Sequence, residues 1–267
     1  MRKIFITYIP LLFFIFGGIT SIRAQEEEKV DLEKAIQNPI AALYTLPFQN
    51  NTHFGVGPYD RTQNVTNIQP VIPVGLGKSV NMIVRTIIPL ITQPVGETDT
   101  KMGLGDIALS IFFTPKKPGK LIWGVGPAIG LPTITDESLG SGKWTAGPAI
   151  ILLVQPKGWT LGMVMQNTWS FAGPSDRPDV NLFYTQPFIT KNLPKGWYIN
   201  MAPIITSNWT AEKGNQWLVP MGIGGGKLFR IGKLPINAQM GYYNFVSAPE
   251  NGPDWELRAQ LNLLFPK

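Results

Sequence analysis

The chain has 267 residues, of which only 15% are charged, a formal net charge of +6 and no cysteine. Soluble domains average about 25% charged residues, so the charge is sparse for a soluble protein, and the missing cysteine excludes disulfides, thiolate metal sites, cysteine nucleophiles and lipoprotein acylation. Setting aside Arg2, Lys3 and Arg23, which read as part of a leader, the excess falls from +6 to +3 and no longer favours nucleic acid as a partner.

Residues 1–24 read as a secretory signal peptide. Arg2 and Lys3 form its positive end, Ile4 to Ile19 its apolar core, and Ser21-Ile22-Arg23-Ala24 its cleavage site. Residues 25–42 open with the charged stretch EEEKVDLEK (26–34) and are expected to form a periplasmic N-terminal segment or a small plug.

From residue 43 to 267 the pattern becomes that of strands. They are predicted at 43–55, 64–74, 79–91, 104–114, 120–131, 143–155, 158–171, 180–190, 196–209, 216–227, 233–246 and 254–266. The last is the clearest. Trp255, Leu257, Ala259, Leu261, Leu263 and Phe265 share one face, and Glu256, Arg258, Gln260 and Asn262 the other. Strand side chains alternate between faces with period two, so each such segment has one apolar and one polar side. No apolar run beyond the leader reaches the roughly 18 residues of a membrane helix. The fold class that follows is all-β: a transmembrane antiparallel β-barrel of about 12 strands, apolar residues toward lipid and polar residues toward the lumen.

The connections alternate in length and charge. The short ones (74–79, 114–120, 155–158, 190–196 and 227–233) carry Lys78, Lys116, Lys117, Lys120, Lys157, Lys191, Lys195, Lys227, Arg230 and Lys233, and no acid. The long ones carry Asp60, Glu97, Asp99, Asp136, Glu137, Asp176, Asp179, Glu212, Glu250 and Asp254, with fewer bases. Bacterial barrels place short turns in the periplasm and long loops outside. All the tryptophans fall near predicted strand ends, where barrels carry aromatic girdles.

Apart from the terminal Lys267, the charges left within strands are Arg85, Asp106, Glu256 and Arg258, each out of phase with its apolar neighbours. An arginine facing lipid at midplane costs about 2–4 kcal/mol, so these four are the candidate lumen-lining residues. Asp106 and Glu256 follow long loops and belong near the outer mouth, with Arg85 deeper. Catalytic, cofactor-binding and metal sites are not expected. His53 is the sole histidine and lacks a hydrolase signature; Gly140-Ser141-Gly142-Lys143 fails the phosphate-loop spacing, and Gly222 to Gly226 the dinucleotide one. Prolines 70, 73, 127, 148, 187, 203 and 220 conflict with central strands, because each lacks a ladder donor.

NPIAALYTLPFQNN (38–51), NIQPVIPVGLG (67–77), GLGDI (103–107), IWGVGPAIGLPT (122–133), LGSGKWTAGPA (139–149), NGPDW (251–255) and LLFPK (263–267) together resemble the bacterial outer-membrane transporter family of the meta-pathway of phenol degradation, whose members are often mislabelled neuromedin U. The resemblance covers nearly the whole mature chain and implies an outer-membrane barrel with a transport role. It brings no substrate and no catalytic residue.

Three functions are therefore open. The first is a channel in the outer membrane of a Gram-negative cell for passive passage of small solutes, aromatic or weakly polar compounds among them. The second is a closed structural or adhesive barrel acting through acidic extracellular loops. The third, an outer-membrane enzyme built on His53, has the least support. Expected partners are outer-membrane lipids and a small-molecule solute, with no cofactor and an open oligomeric state.

Overall fold

The structure, a computed structural model, describes residues 32–265. The expected signal peptide, residues 25–31 and the last two residues lie outside the described residues.

The strands are β1 (Tyr44–Val56), β2 (Arg61–Ile68 and Val71–Leu76), β3 (Val80–Val95), β4 (Asp99–Leu104 and Ile107–Pro115), β5 (Leu121–Leu131), β6 (Trp144–Val154), β7 (Trp159–Ala172), β8 (Asn181–Asn192), β9 (Trp197–Met201 and Ile205–Asn208), β10 (Trp217–Ile231), β11 (Leu234–Ser247) and β12 (Trp255–Phe265). Each pairs antiparallel with its chain neighbours, and β12 returns to β1 from Tyr44↔Phe265 to Phe54↔Trp255. The result is a closed 12-stranded antiparallel barrel. Among the described residues no helix is long and apolar enough to cross a membrane.

Boundaries shift from expectation where polarity hid the strand. The stretch 92–103, read as a loop, is an extension of the β3–β4 hairpin, Thr92↔Met102 to Val95↔Asp99. Its Thr, Gln, Lys and Asp residues alternate without an apolar face. The stretch 227–233, read as a connection, is mostly strand, with only Gly232 and Lys233 turning between β10 and β11.

The outward face is apolar and girdled. Trp123, Trp159 and Trp197 are exposed at the short-turn end; Trp144, Trp169, Trp209 and Trp217 are exposed at the long-loop end. Trp255 lies beside the latter, stacked on Phe54 at 3.8 Å. Lys191 and Lys227 cover the rings of Trp159 and Trp197.

One outward patch is polar. By register Asn50 and Thr52 share the face of Phe48 and Leu257, opposite Thr66 and Asn64. Asn50 Nδ2 donates to Asn64 Oδ1 and Thr66 Oγ1, both at 2.8 Å. Asn64 Nδ2 donates to Asn50 Oδ1 and Thr52 Oγ1, while Thr52 and Thr66 donate to the two amide oxygens. Every donor is used within the ring, which makes a polar cluster tolerable on an apolar wall. Asn64→Ala should cost about 1–3 kcal/mol by orphaning its partners, and Thr66→Val clearly less, as read by urea unfolding in lipid vesicles. Equal stability of Asn64→Ala and the parent would show that the ring contributes nothing.

The prolines sit where pairing lapses. Pro70 and Pro203 occupy the interruptions of β2 and β9, and Pro220 a register shift against β11. Pro127 and Pro148 face one another across β5 and β6. Their outer sides meet lapses in the β4–β5 and β6–β7 pairings, where Gly126 and Gly147 let the neighbouring backbone come close: a Cβ would lie 1.9 Å from Ile111 O and 1.8 Å from Asn167 O. By the flanking register Pro187 and Pro203 fall opposite each other in the β8–β9 lapse. For these six the missing donors are paired off or placed at bulges, where proline is admitted; Pro73 stands opposite Ile83 in an unbroken register.

Candidate functional site

The interior has two unlike walls. Along β11, β12, β1 and β2 the inward positions are mostly amides and charges, among them Gln239, Asn237, Gln260, Asn262, Gln49, Asn51 and Gln63. Across the lumen, on β3 to β8, an apolar cluster fills the half nearer the short turns, with Ile83, Phe112, Ala149, Ile151, Leu153, Val164 and Phe188 buried. The expectation of a uniformly polar lumen is therefore corrected. The apolar inward residues were hidden because β5 and β6 are apolar on both faces and show no alternation.

Residues 32–43 explain that apolar wall. Ile40, 3% exposed, packs into the cluster from inside the barrel. Leu32, Ala35, Ile36 and Ala41 pack on Leu43, Leu228 and Leu264 on the opposite side. Gln37 accepts from Thr160 Oγ1 at 2.7 Å and donates to Asn192 Oδ1; Gln155 donates to Lys34 O at 2.8 Å. The segment therefore lies across the short-turn mouth from β10 and β12 to β7 and β8. It floors a cavity of about 180 Å³ whose walls include Arg85, Gln69, Gln186 and Arg258.

The four in-strand charges take different positions. Arg85 lines the cavity and donates to Gln69 Oε1 at 2.8 Å; no carboxylate among the described residues pairs with it. Arg258, 2% exposed, donates from Nε to Glu256 Oε1 (2.9 Å) and Asn51 Oδ1 (3.2 Å), and from Nη1 to Ala202 O (2.7 Å). It also stacks over Tyr243, 4.5 Å from the ring centre. Gly241 lies opposite Arg258 in the register, so no side chain competes for that space. Glu256 meets His53 Nε2 at 3.1 Å, His53 Nδ1 faces Gln63 Oε1 at 2.6 Å, and Gln63 donates to Gln93. A chain of contacts thus runs round the polar wall from Tyr243 to β3.

Asp106 is separate. It stands in the break of β4, and its Oδ2 accepts from Ser141 N, Ser141 Oγ and Gly142 N at 2.6, 2.8 and 3.1 Å. Its carboxylate fixes the 132–143 loop, which Arg177 clamps through the carbonyls of Glu137, Gly140 and Ser141. The loop is tied further by Lys143 to Asp179 (2.8 Å) and Lys101 to Asp136 (3.5 Å). The hydrogen bond from Lys143 holds the Asp179 carboxyl below its ordinary range, and hydrogen bonds from Ser138, the backbone one first, do the same for Asp136. Sequence reasoning found the charges and, on the last strand, Gln260 and Asn262, but not the cavity's other amides; for residues 25–42 it left a periplasmic segment and a small plug both open. Gln49 and Gln239 are neutral, and residues 32–43 carry no strand pattern.

A closed antiparallel barrel with an aromatic-girdled apolar exterior has the architecture of a membrane-spanning β-barrel. No protein-family model matches the chain, and no curated protein matches it in sequence. Among solved structures it is similar to an outer membrane channel from Pseudomonas putida F1, at 16% identity and TM-score 0.62, over 83% of this chain and 93% of that one. It is also similar to the NanC porin, at 10% identity and TM-score 0.54, over 83% of this chain and all of that one (100%). At such identities the likeness concerns the fold.

Proposed function

We propose that the chain is an outer-membrane channel for passive passage of small solutes, held closed at its periplasmic end by residues 32–43. The carrying observation is the cavity between the polar wall and that segment, with Arg85 paired to no carboxylate among the described residues. The apolar cluster opposite suits solutes with an aromatic or weakly polar body, in keeping with the resemblance to the phenol meta-pathway family. His53 spends its ring nitrogens on Gln63 and Glu256, with no serine hydroxyl among its hydrogen-bond partners, which supports a wall role over catalysis.

Reconstitution in planar bilayers tests the reading. Discrete conductance steps in KCl are expected, and Arg85→Ala should shift the reversal potential toward cations, because a narrow lumen screens a guanidinium poorly. Unchanged selectivity would remove Arg85 from the filter. The closed structural barrel is the second reading, favoured by the segment across the mouth; it predicts no conductance even when that segment is removed.

The lysine-bearing short turns belong in the periplasm. In intact cells an impermeant thiol reagent should label cysteine at exposed Ser175, in the 172–181 loop, and spare cysteine at Gly119. The reverse labelling pattern would invert the orientation.

A further inference from the structure

The pairing between β6 and β7 runs from Trp144↔Ala172 to Ala146↔Trp169, lapses at Gly147 and Pro148 opposite Thr168 and Asn167, and resumes at Ala149↔Gln166. We propose that this lapse is a lateral portal, through which uncharged apolar solutes pass from the lumen into the bilayer. The proposal rests on the channel reading above and adds a second route to it.

Three observations meet at the lapse. Outside it lies a cleft of about 400 Å³, lined by Val125, Pro148, Ile150, Met165 and Phe183, all on the outward apolar face. Ala149 and Gln166 face the lumen yet also line the cleft, so the wall there is one residue thick. Inside, the way is bordered by the apolar cluster at Ala149 and Val164 and by a long hydrogen bond, Ser110 Oγ to Gln166 Oε1 at 3.2 Å.

Parting strands inside a bilayer is normally forbidden, because each freed backbone donor is left unpaired in hydrocarbon. Pro148 has no such donor to free. Gly147 brings no side chain into the gap, and it approaches Asn167 O through carbon-bound hydrogen, which holds less firmly than an N–H···O rung. Two other lapses lack this combination. That between β8 and β9 is spanned by Arg258 and Gln186, both donating to Ala202 O at 2.7 and 3.5 Å. That between β4 and β5 is backed by Phe112, 2% exposed. With residues 32–43 across the short-turn mouth, a solute that reaches the apolar half of the lumen has its shortest exit sideways.

The class of solute follows from the lining. Val125, Ile150, Met165 and Phe183 offer no donor or acceptor for an ion, and the two amides of the lining are engaged, Asn167 with Asn181 and Trp209 and Gln166 with Ser110, so a charged molecule loses its hydration with little compensation. An apolar ring or chain loses nothing by comparison.

The chain has no cysteine, so a disulfide can lock the seam cleanly. Ala149→Cys with Gln166→Cys joins β6 to β7, and Leu46→Cys with Leu263→Cys joins β1 to β12 as a control on the outward face of an unbroken ladder. The first readout is transfer of the neutral dye N-phenyl-1-naphthylamine into the membrane of intact Gram-negative cells expressing each variant. The second is KCl conductance in planar bilayers. Oxidation of the Ala149/Gln166 pair should cut dye transfer several-fold, leave conductance unchanged and be reversed by reductant, while the control pair changes neither. Pro148→Val, which restores a ladder donor, should slow the dye without any oxidant. Dye transfer unaffected by a formed 149–166 disulfide, no transfer above cells lacking the protein, or loss of dye and ion flow together would each overturn the portal. Absent conductance in the unlocked protein would instead count against the axial channel, and the dye arm would still decide the portal.

Discussion

Deleting residues 32–41 is expected to raise single-channel conductance several-fold in planar bilayers. The segment is held by Ile40 in the apolar cluster, by Leu32 and Ile36 on Leu228 and Leu264, and by hydrogen bonds at Gln37 and the Lys34 carbonyl. Burying an aliphatic side chain is worth about 1.5–3 kcal/mol, so Ile40 is its strongest single anchor. Ile40→Asp should therefore open the barrel almost as fully as deletion. An unpaired carboxylate among Phe112, Ile151 and Phe188 costs more than the few neighbouring hydrogen bonds return, at about 1 kcal/mol each. The barrel wall itself makes its contacts strand to strand, so both variants should keep the heat-modifiable migration of a folded barrel. Parent-like conductance in the deletion variant would show that the segment is not the barrier.

Arg258→Ala should be the most damaging single substitution in the wall, lowering unfolding stability by about 3–5 kcal/mol, the usual cost of breaking a buried ion pair from one side. The guanidinium joins Glu256, Asn51, the Ala202 carbonyl and the Tyr243 ring, and no solvent path replaces it at 2% exposure. Removing it leaves Glu256 facing only His53 and leaves the Ala202 carbonyl, in the break of β9, with the long 3.5 Å bond from Gln186. Arg258→Met combined with Glu256→Gln should recover part of the loss, since the desolvated carboxylate goes with its partner. Urea unfolding in lipid vesicles measures both. Equal damage from the single and double variants would mean that packing of the long side chain, not charge, is what the site needs.

The ring of strands was legible because alternation survives wherever one face meets lipid and the other water, as in β12. It failed where that contrast is missing. The β3–β4 extension is polar on both faces, β5 and β6 are apolar on both, and Asn50, Thr52, Asn64 and Thr66 invert the rule with a self-satisfied ring. The proline conflict dissolved only in the register, since the sequence holds nothing to say that Pro127 meets Pro148. Of the candidate site, Arg85, Glu256 and Arg258 stood out as charges out of phase with apolar neighbours. That Arg258 is committed to four partners while Arg85 keeps one depends on contacts across the lumen, which spacing along the chain does not encode. The role of Asp106 followed the same logic: a charge after a long loop serves a mouth or a tether equally well, and Ser141, 35 residues away, decides between them.

The contacts that bind Arg258 to Asn51 and Glu256 to His53 span 207 and 203 residues of chain. Hairpins such as β10–β11 form locally, whereas contacts of such separation come only after the entropy of closing the whole loop has been met. A sheet not yet closed would carry Asn51 and His53 on its first strand without their ionic partners. Those partners arrive with the final strand alone. A chain stopped before Trp255 keeps every local hairpin yet can neither close nor settle its polar edge in hydrocarbon. Closure is all-or-none at this seam: the side chains that stiffen the finished ring are the ones a partly built ring leaves unsatisfied, which favours completion over lingering half-barrels.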